Sequence, residues 1–196
     1  MKLATQGVDA SEDGLAKSAA DFVGRVILTG QPGGPLTEFP GFPLSAHDLD
    51  SPPLTRAELQ GVYDQKTALG GRYRVLTSLE MGPEVARGRT TLAETRDMTD
   101  GEITRYQLCP YLLEAVQHTA VFSLFIRSES EERAILPVAV EEVAFGRQPE
   151  CGAEIVIQTR LQKRSREGVV WDAECRDLEG HVAVQVRGLR MRWLGA

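Results

Sequence analysis

Glu114 and His118 stand four residues apart in the stretch 109-CPYLLEAVQHTA-120. On a helix that spacing is about one turn, so both side chains point the same way. A carboxyl group and an imidazole in that relation suit proton transfer. In an apolar pocket the carboxyl would hold its proton to higher pH, which favours an acid role. Outside such a pocket, Glu114 is a solvated or paired helix residue and His118 a satisfied histidine at the rim of a core. An exposed pair of this kind would contribute only about 0.3–0.5 kcal/mol. Cys109 would need a neighbouring base to act as a nucleophile, and none is spaced to supply one, so it reads as a buried structural thiol. Tyr73, Tyr106 and Tyr111 suit either the lining of a channel or aromatic packing. His47 reads as a loop residue, and Trp171 and Trp193 as packing residues.

These residues need elements to hold them. A helix is expected from about Pro110 to Phe125. Pro110 fits its first turn, where a missing N–H costs nothing. Leu112, Leu113, Val116, Ala120, Val121 and Leu124 form a broad apolar stripe along it. A shorter helix is expected over 55-TRAELQGVYDQKT-67, opened by a capping box between Thr55 and Glu58. Strands are expected over 72–81 and 84–94, parted by the turn signal Gly82-Pro83. Four more follow over 136–145, 153–162, 168–177 and 181–193, with Gly or charged clusters between them. The last alternates, with Val182, Val184 and Val186 on one face and Gln185 and Arg187 on the other.

Ahead of this body, residues 1–20 are small, polar and acidic, and 22-FVGRVILTG-30 reads as a strand. The Pro/Gly-rich segment 31–53 can be neither a regular helix nor a central strand, and reads as an extended linker crossing the surface. Residues 1–53 are thus an N-terminal arm, one strand and a linker, and residues 54–196 a single domain. Two strands, one long helix and a meander of four strands predict an α+β hot-dog fold, an antiparallel sheet wrapped around one long helix. One such unit leaves a sheet edge open, and hot-dog units usually pair through that edge. A homodimer or a partner hot-dog subunit is therefore expected.

Composition narrows the function. The formal net charge is −6 and no Lys/Arg run beyond 160-RLQKRSR-166 occurs, so no nucleic-acid partner is expected. The three cysteines are widely spaced without a C-x-x-C pair, so no metal site, redox motif or cofactor is expected. No apolar run is long enough to cross a bilayer and the N-terminus lacks an apolar signal region. A cytoplasmic protein without a membrane partner is the expectation.

Four segments, spread over roughly residues 54 to 193, resemble the C-terminal half of polyketide synthase dehydratase domains, which are double hot-dogs. In 63-YDQKTALGGRYRVLTSLE-80, Gly70, Tyr73 and Leu76 match the family's Gly-Pro-aromatic frame, with Gly71 where proline is usual. In 109-CPYLLEAVQHTA-120, Pro110, Leu112, Leu113 and His118 match the His-Pro, Leu-Leu-Asp, x-x-x-Gln/His motif. Cys109 stands there for the usual His and Glu114 for the catalytic Asp. The segment 136-LPVAVEEVAF-145 resembles the family's Leu-Pro strand start. Finally, 177-DLEGHVAVQVRGLRMR-192 resembles its Asp-x-x-Gly hairpin and Gly-Leu-x-x-Arg ending. The His-x-x-x-Gly-x-x-x-x-Pro motif of the family's N-terminal half is absent, and only His47 precedes His118.

The resemblance implies chemistry on β-hydroxyacyl thioesters carried by an acyl carrier protein. A base removes the α-proton, and an acid protonates the departing hydroxyl. It implies Glu114 as the acid and His118 as the residue that orients it. It also implies Cys109, Pro110, Tyr111, Gly70 and Tyr73 as substrate-binding positions, with the first helical turn near the thioester carbonyl. The base would come from elsewhere. Alternatives are a catalytically reduced relative that guides isomerisation, cyclisation or docking, a hot-dog thioesterase, and a purely structural module.

Overall fold

The computed structural model of the chain describes residues 44–67, 69–92, 110–127 and 134–194. In chain order these form α1 (Arg56–Lys66), β1 (Leu76–Met81), β2 (Val85–Thr91), α2 (Pro110–Arg127), β3 (Ile135–Ala139), β4 (Glu142–Phe145), β5 (Glu154–Arg164), β6 (Gly168–Asp177) and β7 (Val182–Trp193). The strands make one antiparallel sheet in the order β1-β2-β5-β6-β7-β3, and β4 also pairs with β7. Because β2 and β3 lie far apart in this order, α2, which connects them in sequence, must cross a face of the sheet. It packs there against β1, β2, β5 and β6. This is the α+β hot-dog arrangement expected from the element order. Residues 1–43, 93–109 and 128–133, which include the expected strand at 22–30 and Cys109, lie outside the described residues.

Sequence sets how deeply α2 sits. Leu112, Ala115, Val116, Thr119, Ala120 and Ser123 are buried and share one side of the helix. A fully buried leucine such as Leu112 contributes about 1.5–3 kcal/mol over an exposed one. On β2, Gly88 lets the helix come close: a Cβ built there would lie 2.2 Å from Thr119 Oγ1. Thr119 itself donates to Ala115 O at 2.7 Å, which satisfies its buried hydroxyl within the helix.

The capping box opens α1 as its sequence predicts. Thr55 N–H donates to Glu58 Oε2 at 2.7 Å and Glu58 N–H to Thr55 Oγ1 at 3.4 Å. Leu59 and Tyr63, one turn apart, are the buried residues of an otherwise polar helix, and they dock it against the core.

One expected strand, 136–145, is two strands, β3 and β4, both paired with β7. The cause lies in the partner strand. Trp171 opposes Leu189 and Ala173 opposes Val186, so one residue of β6 faces two of β7. Gly188 takes up the extra residue at φ 63°, and its N–H donates to Asp172 Oδ1 at 2.8 Å. The bulge bends β7 and brings Gly188 so close to Glu141 that a Cβ would lie 2.5 Å from that carboxyl carbon.

The two edges of the sheet differ. From Leu44 onward the Pro/Gly-rich segment forms a short 3-10 turn, Ala46–Asp48, and then runs along β1. Asp50 and Ser51 N–H donate to Met81 O at 3.0 and 3.1 Å, and Leu54 pairs with Leu79. At the other edge, β3 exposes Leu136, Pro137 and Val138, and among the described residues no strand pairs with its outer side. No described helix is long and apolar enough to cross a membrane.

Candidate active site

The site is built where α1, the start of β1 and the middle of α2 meet. Tyr63 points from α1 into the core, and its Oη lies 3.0 Å from His118 Nδ1. The Leu76 N–H at the head of β1 donates to the same Oη at 3.2 Å. On the other side of the imidazole, Nε2 stands 3.4 Å from Glu114 Oε2. Phe122, one turn beyond His118, stacks on the imidazole with planes 3° apart, and Tyr63 meets Phe122 edge-on. Three side chains from two helices thus hold the ring in one orientation.

Burial decides the charge states. His118 is 8% exposed, and desolvation lowers its pKa to about 4, so the ring is neutral near neutral pH. Glu114 is 31% exposed, and burial raises its carboxyl above the ordinary range. The two groups lie within ion-pairing distance, but a neutral imidazole makes the contact one between a donor N–H and a carboxyl group. Tyr63 is pushed up to about 12, chiefly by burial, and keeps its hydroxyl hydrogen.

Arg74 braces this corner. Its guanidinium lies 5.8 Å from the centre of the Tyr63 ring, 2.6 Å from Asp64 and 3.0 Å from Gln60 Oε1. Its Nε donates to Leu69 O at 3.0 Å, which ties down the loop leading to the 3-10 turn Gly71–Tyr73.

Of the candidate residues read from the sequence, Glu114 and His118 come together as their spacing requires. Tyr111 is buried in the core cluster at the start of α2. Pro110 is the first residue of α2, in the first turn as expected. Gly70 is exposed and Tyr73 half-buried, both within the loop that the Arg74–Leu69 contact closes. The polar and ring contacts of the Glu114–His118 pair run instead to Tyr63 and Phe122, which sequence reasoning did not single out. Phe122 carried a readable signal, since it follows His118 by one turn. Tyr63 is 55 residues from His118, and no local pattern links the two.

A second cluster lies at the β6–β7 turn, where Asp177, Glu179 and His181 offer ligand atoms within 4.8 Å of one another. Arg147 stands 3.6 Å from Glu179 and 3.3 Å from His181, so a guanidinium already supplies positive charge there. His181 N–H donates to Asp177 Oδ1 at 2.8 Å, and Gly180 follows the turn at φ 89°. The cluster fits a turn-stabilising role.

A family described as polyketide synthase dehydratase N-terminal domain matches residues 42–196. That description names the N-terminal domain, whereas the motifs around Glu114 and Asp177 resemble the C-terminal half; the family is the same. The dehydratase domain from the CurJ module of curacin polyketide synthase is similar in fold, with a TM-score of 0.60, 20% identity, and 75% of this chain aligned with 50% of that one. A trans-AT polyketide synthase dehydratase domain from Brevibacillus brevis gives a TM-score of 0.61 at 18% identity, over 76% of this chain and 50% of that one. A trans-acyltransferase polyketide synthase enoyl-isomerase gives 0.52 at 14% identity, over 73% and 57%. The chain therefore spans about half the length of the solved domains it matches. No curated protein matches it. With a match over residues 42–196 and a hot-dog sheet around α2, the chain belongs to the polyketide synthase dehydratase family.

Proposed function

We propose that this chain is a dehydratase-like hot-dog unit acting on β-hydroxyacyl thioesters carried by an acyl carrier protein, with Glu114 as the acid. The observation that carries this reading is a half-buried carboxyl held above its ordinary pKa and 3.4 Å from a neutral imidazole on the central helix. A protonated Glu114 donates to the β-hydroxyl as it leaves as water. A base removes the α-proton, and the electrons left behind form the α,β double bond. Backbone N–H groups in the first turn of α2, just after Cys109 and Pro110, polarise the thioester carbonyl. Tyr111, Tyr73 and Gly70 contribute to the walls of the acyl site.

Family dehydratases take the base from a His motif that this sequence lacks, so the reading assigns the base to a second hot-dog unit. The exposed β3 edge, with Leu136 50% and Val138 43% exposed, supports such a partner, either a second copy or a distinct subunit. Residues 54–196 would then be the hot-dog domain and residues 1–53 an arm, in a cytoplasmic protein. The test is Glu114→Gln in the assembled complex, with water loss from a carrier-bound 3-hydroxyacyl chain followed by mass spectrometry. We expect turnover to fall about a hundredfold or more. Unchanged turnover refutes the acid role.

A second reading is a catalytically reduced relative that guides isomerisation, cyclisation or docking. The missing His motif and the replacement of Asp by Glu favour it, and a fold neighbour described as an enoyl-isomerase agrees with it. Binding of the acyl chain, or movement of its double bond without water loss, supports this reading over dehydration. Release of free acid in the same mass spectra would identify a thioesterase instead.

A further inference from the structure

We propose that Tyr63 is a positioning residue for Glu114, acting through His118. Its hydroxyl fixes the imidazole in the tautomer that carries hydrogen on Nε2 and directs that N–H at the carboxyl group. This rests on the acid role given to Glu114 above.

The hydrogen-bond geometry points to one arrangement. Tyr63 Oη accepts the Leu76 N–H at 3.2 Å. A phenol oxygen has two lone pairs and one hydrogen. With the Leu76 N–H on one lone pair, His118 Nδ1, 3.0 Å away, is the acceptor that the described residues offer the buried hydroxyl hydrogen. A neutral imidazole whose Nδ1 lone pair is engaged carries its hydrogen on Nε2. That nitrogen faces Glu114 Oε2 at 3.4 Å, longer than a good hydrogen bond, and contacts of this kind often tighten only in the substrate complex. Ring rotation, which would exchange the two nitrogens, is opposed by the parallel Phe122 ring on one face and the edge contact with Tyr63.

The donors therefore run in one direction, from the Leu76 amide to Tyr63, to His118 and to Glu114. Once Nε2–H engages Oε2, the transferable proton of Glu114 sits on Oε1. The same logic accounts for Gln or His at this place in the resembled motif. Both side chains offer an acceptor at one point and an N–H donor at another. Tyr63 thus ties α1 to α2 by a hydrogen bond as well as by packing.

The test uses the full chain with nitrogen-15-labelled histidine, with His118 assigned by comparison with His118→Gln. In the wild type, we expect Nδ1 to resonate as a bare acceptor and Nε2 as a protonated nitrogen. In Tyr63→Phe, the preference should relax toward a mixture, and kcat should fall about tenfold with KM little changed, the loss of one hydrogen bond. A wild-type ring protonated on Nδ1 overturns the inference, as does a Tyr63→Phe protein with an unchanged tautomer. If Tyr63→Phe does not fold, 3-fluorotyrosine keeps the packing and strengthens the O–H donor, and the Nδ1 resonance must then move. An Nε2–H tautomer beside full turnover in Glu114→Gln would retire the acid role instead, and the positioning role with it.

Discussion

Acid should weaken this fold in a window set by His118. In the folded protein the imidazole takes up its proton only near pH 4, whereas the unfolded chain takes it up near the ordinary value of 6.5. Between those values the unfolded state binds more protons, so stability falls as pH falls and levels off below about 4. A depression of that size, at about 1.4 kcal/mol per unit, comes to about 3 kcal/mol in full. About 2 kcal/mol of it should be gone on moving from about pH 7 to about pH 5. Glu114 acts in the opposite sense, because its raised folded pKa lets the native state bind a proton first. The clean comparison is therefore Glu114→Gln against the double variant with His118→Gln. Urea unfolding followed by tryptophan fluorescence at several pH values gives both stabilities, with equal m-values as a check. The single variant should lose about 2 kcal/mol more than the double variant over this range. Equal losses, or a single variant that gains stability on acidification, would refute the argument that burial keeps His118 neutral.

Three further outcomes follow from packing and edges. Gly88→Val should cost about 1–3 kcal/mol in urea unfolding, because the new side chain meets Thr119 and Leu76 Cδ2; a loss under about 0.5 kcal/mol would mean α2 is not pinned there. Gly188→Ala should cost about 1–3 kcal/mol and perturb the β3–β4 break, since φ 63° disfavours a Cβ and the Glu141 side chain would have to move aside. On the proposed pairing through β3, Val138→Lys should abolish association measured by light scattering at micromolar concentration while leaving the melting temperature of the monomer nearly unchanged. Association that survives the substitution removes β3 from the interface.

Most of the architecture was readable because local patterns carry it. The apolar stripe placed α2 within two residues of its observed end, and Thr55 with Glu58 marked the start of α1. The Gly82-Pro83 and Asp177-to-Gly180 turns fell where glycine and proline put them. The division of 136–145 was not readable, since its cause is a bulge at Gly188 on a partner strand more than forty residues later. The site divides in the same way. The Glu114–His118 relation is helical periodicity and can be read from spacing alone. The Tyr63 contact depends on how α1 docks over the head of β1, and only the assembled core brings those 55 residues of separation to 3.0 Å.

The unequal edges of the sheet limit how the fold can grow. Backbone groups of Asp50, Ser51 and Leu54 already occupy the outer side of β1, while β3 is left with unpaired backbone among the described residues. A sheet with two open edges can add copies at both ends and extend without limit. A sheet with one can pair only once, so two units joined through β3 would make a closed pair and not a fibre.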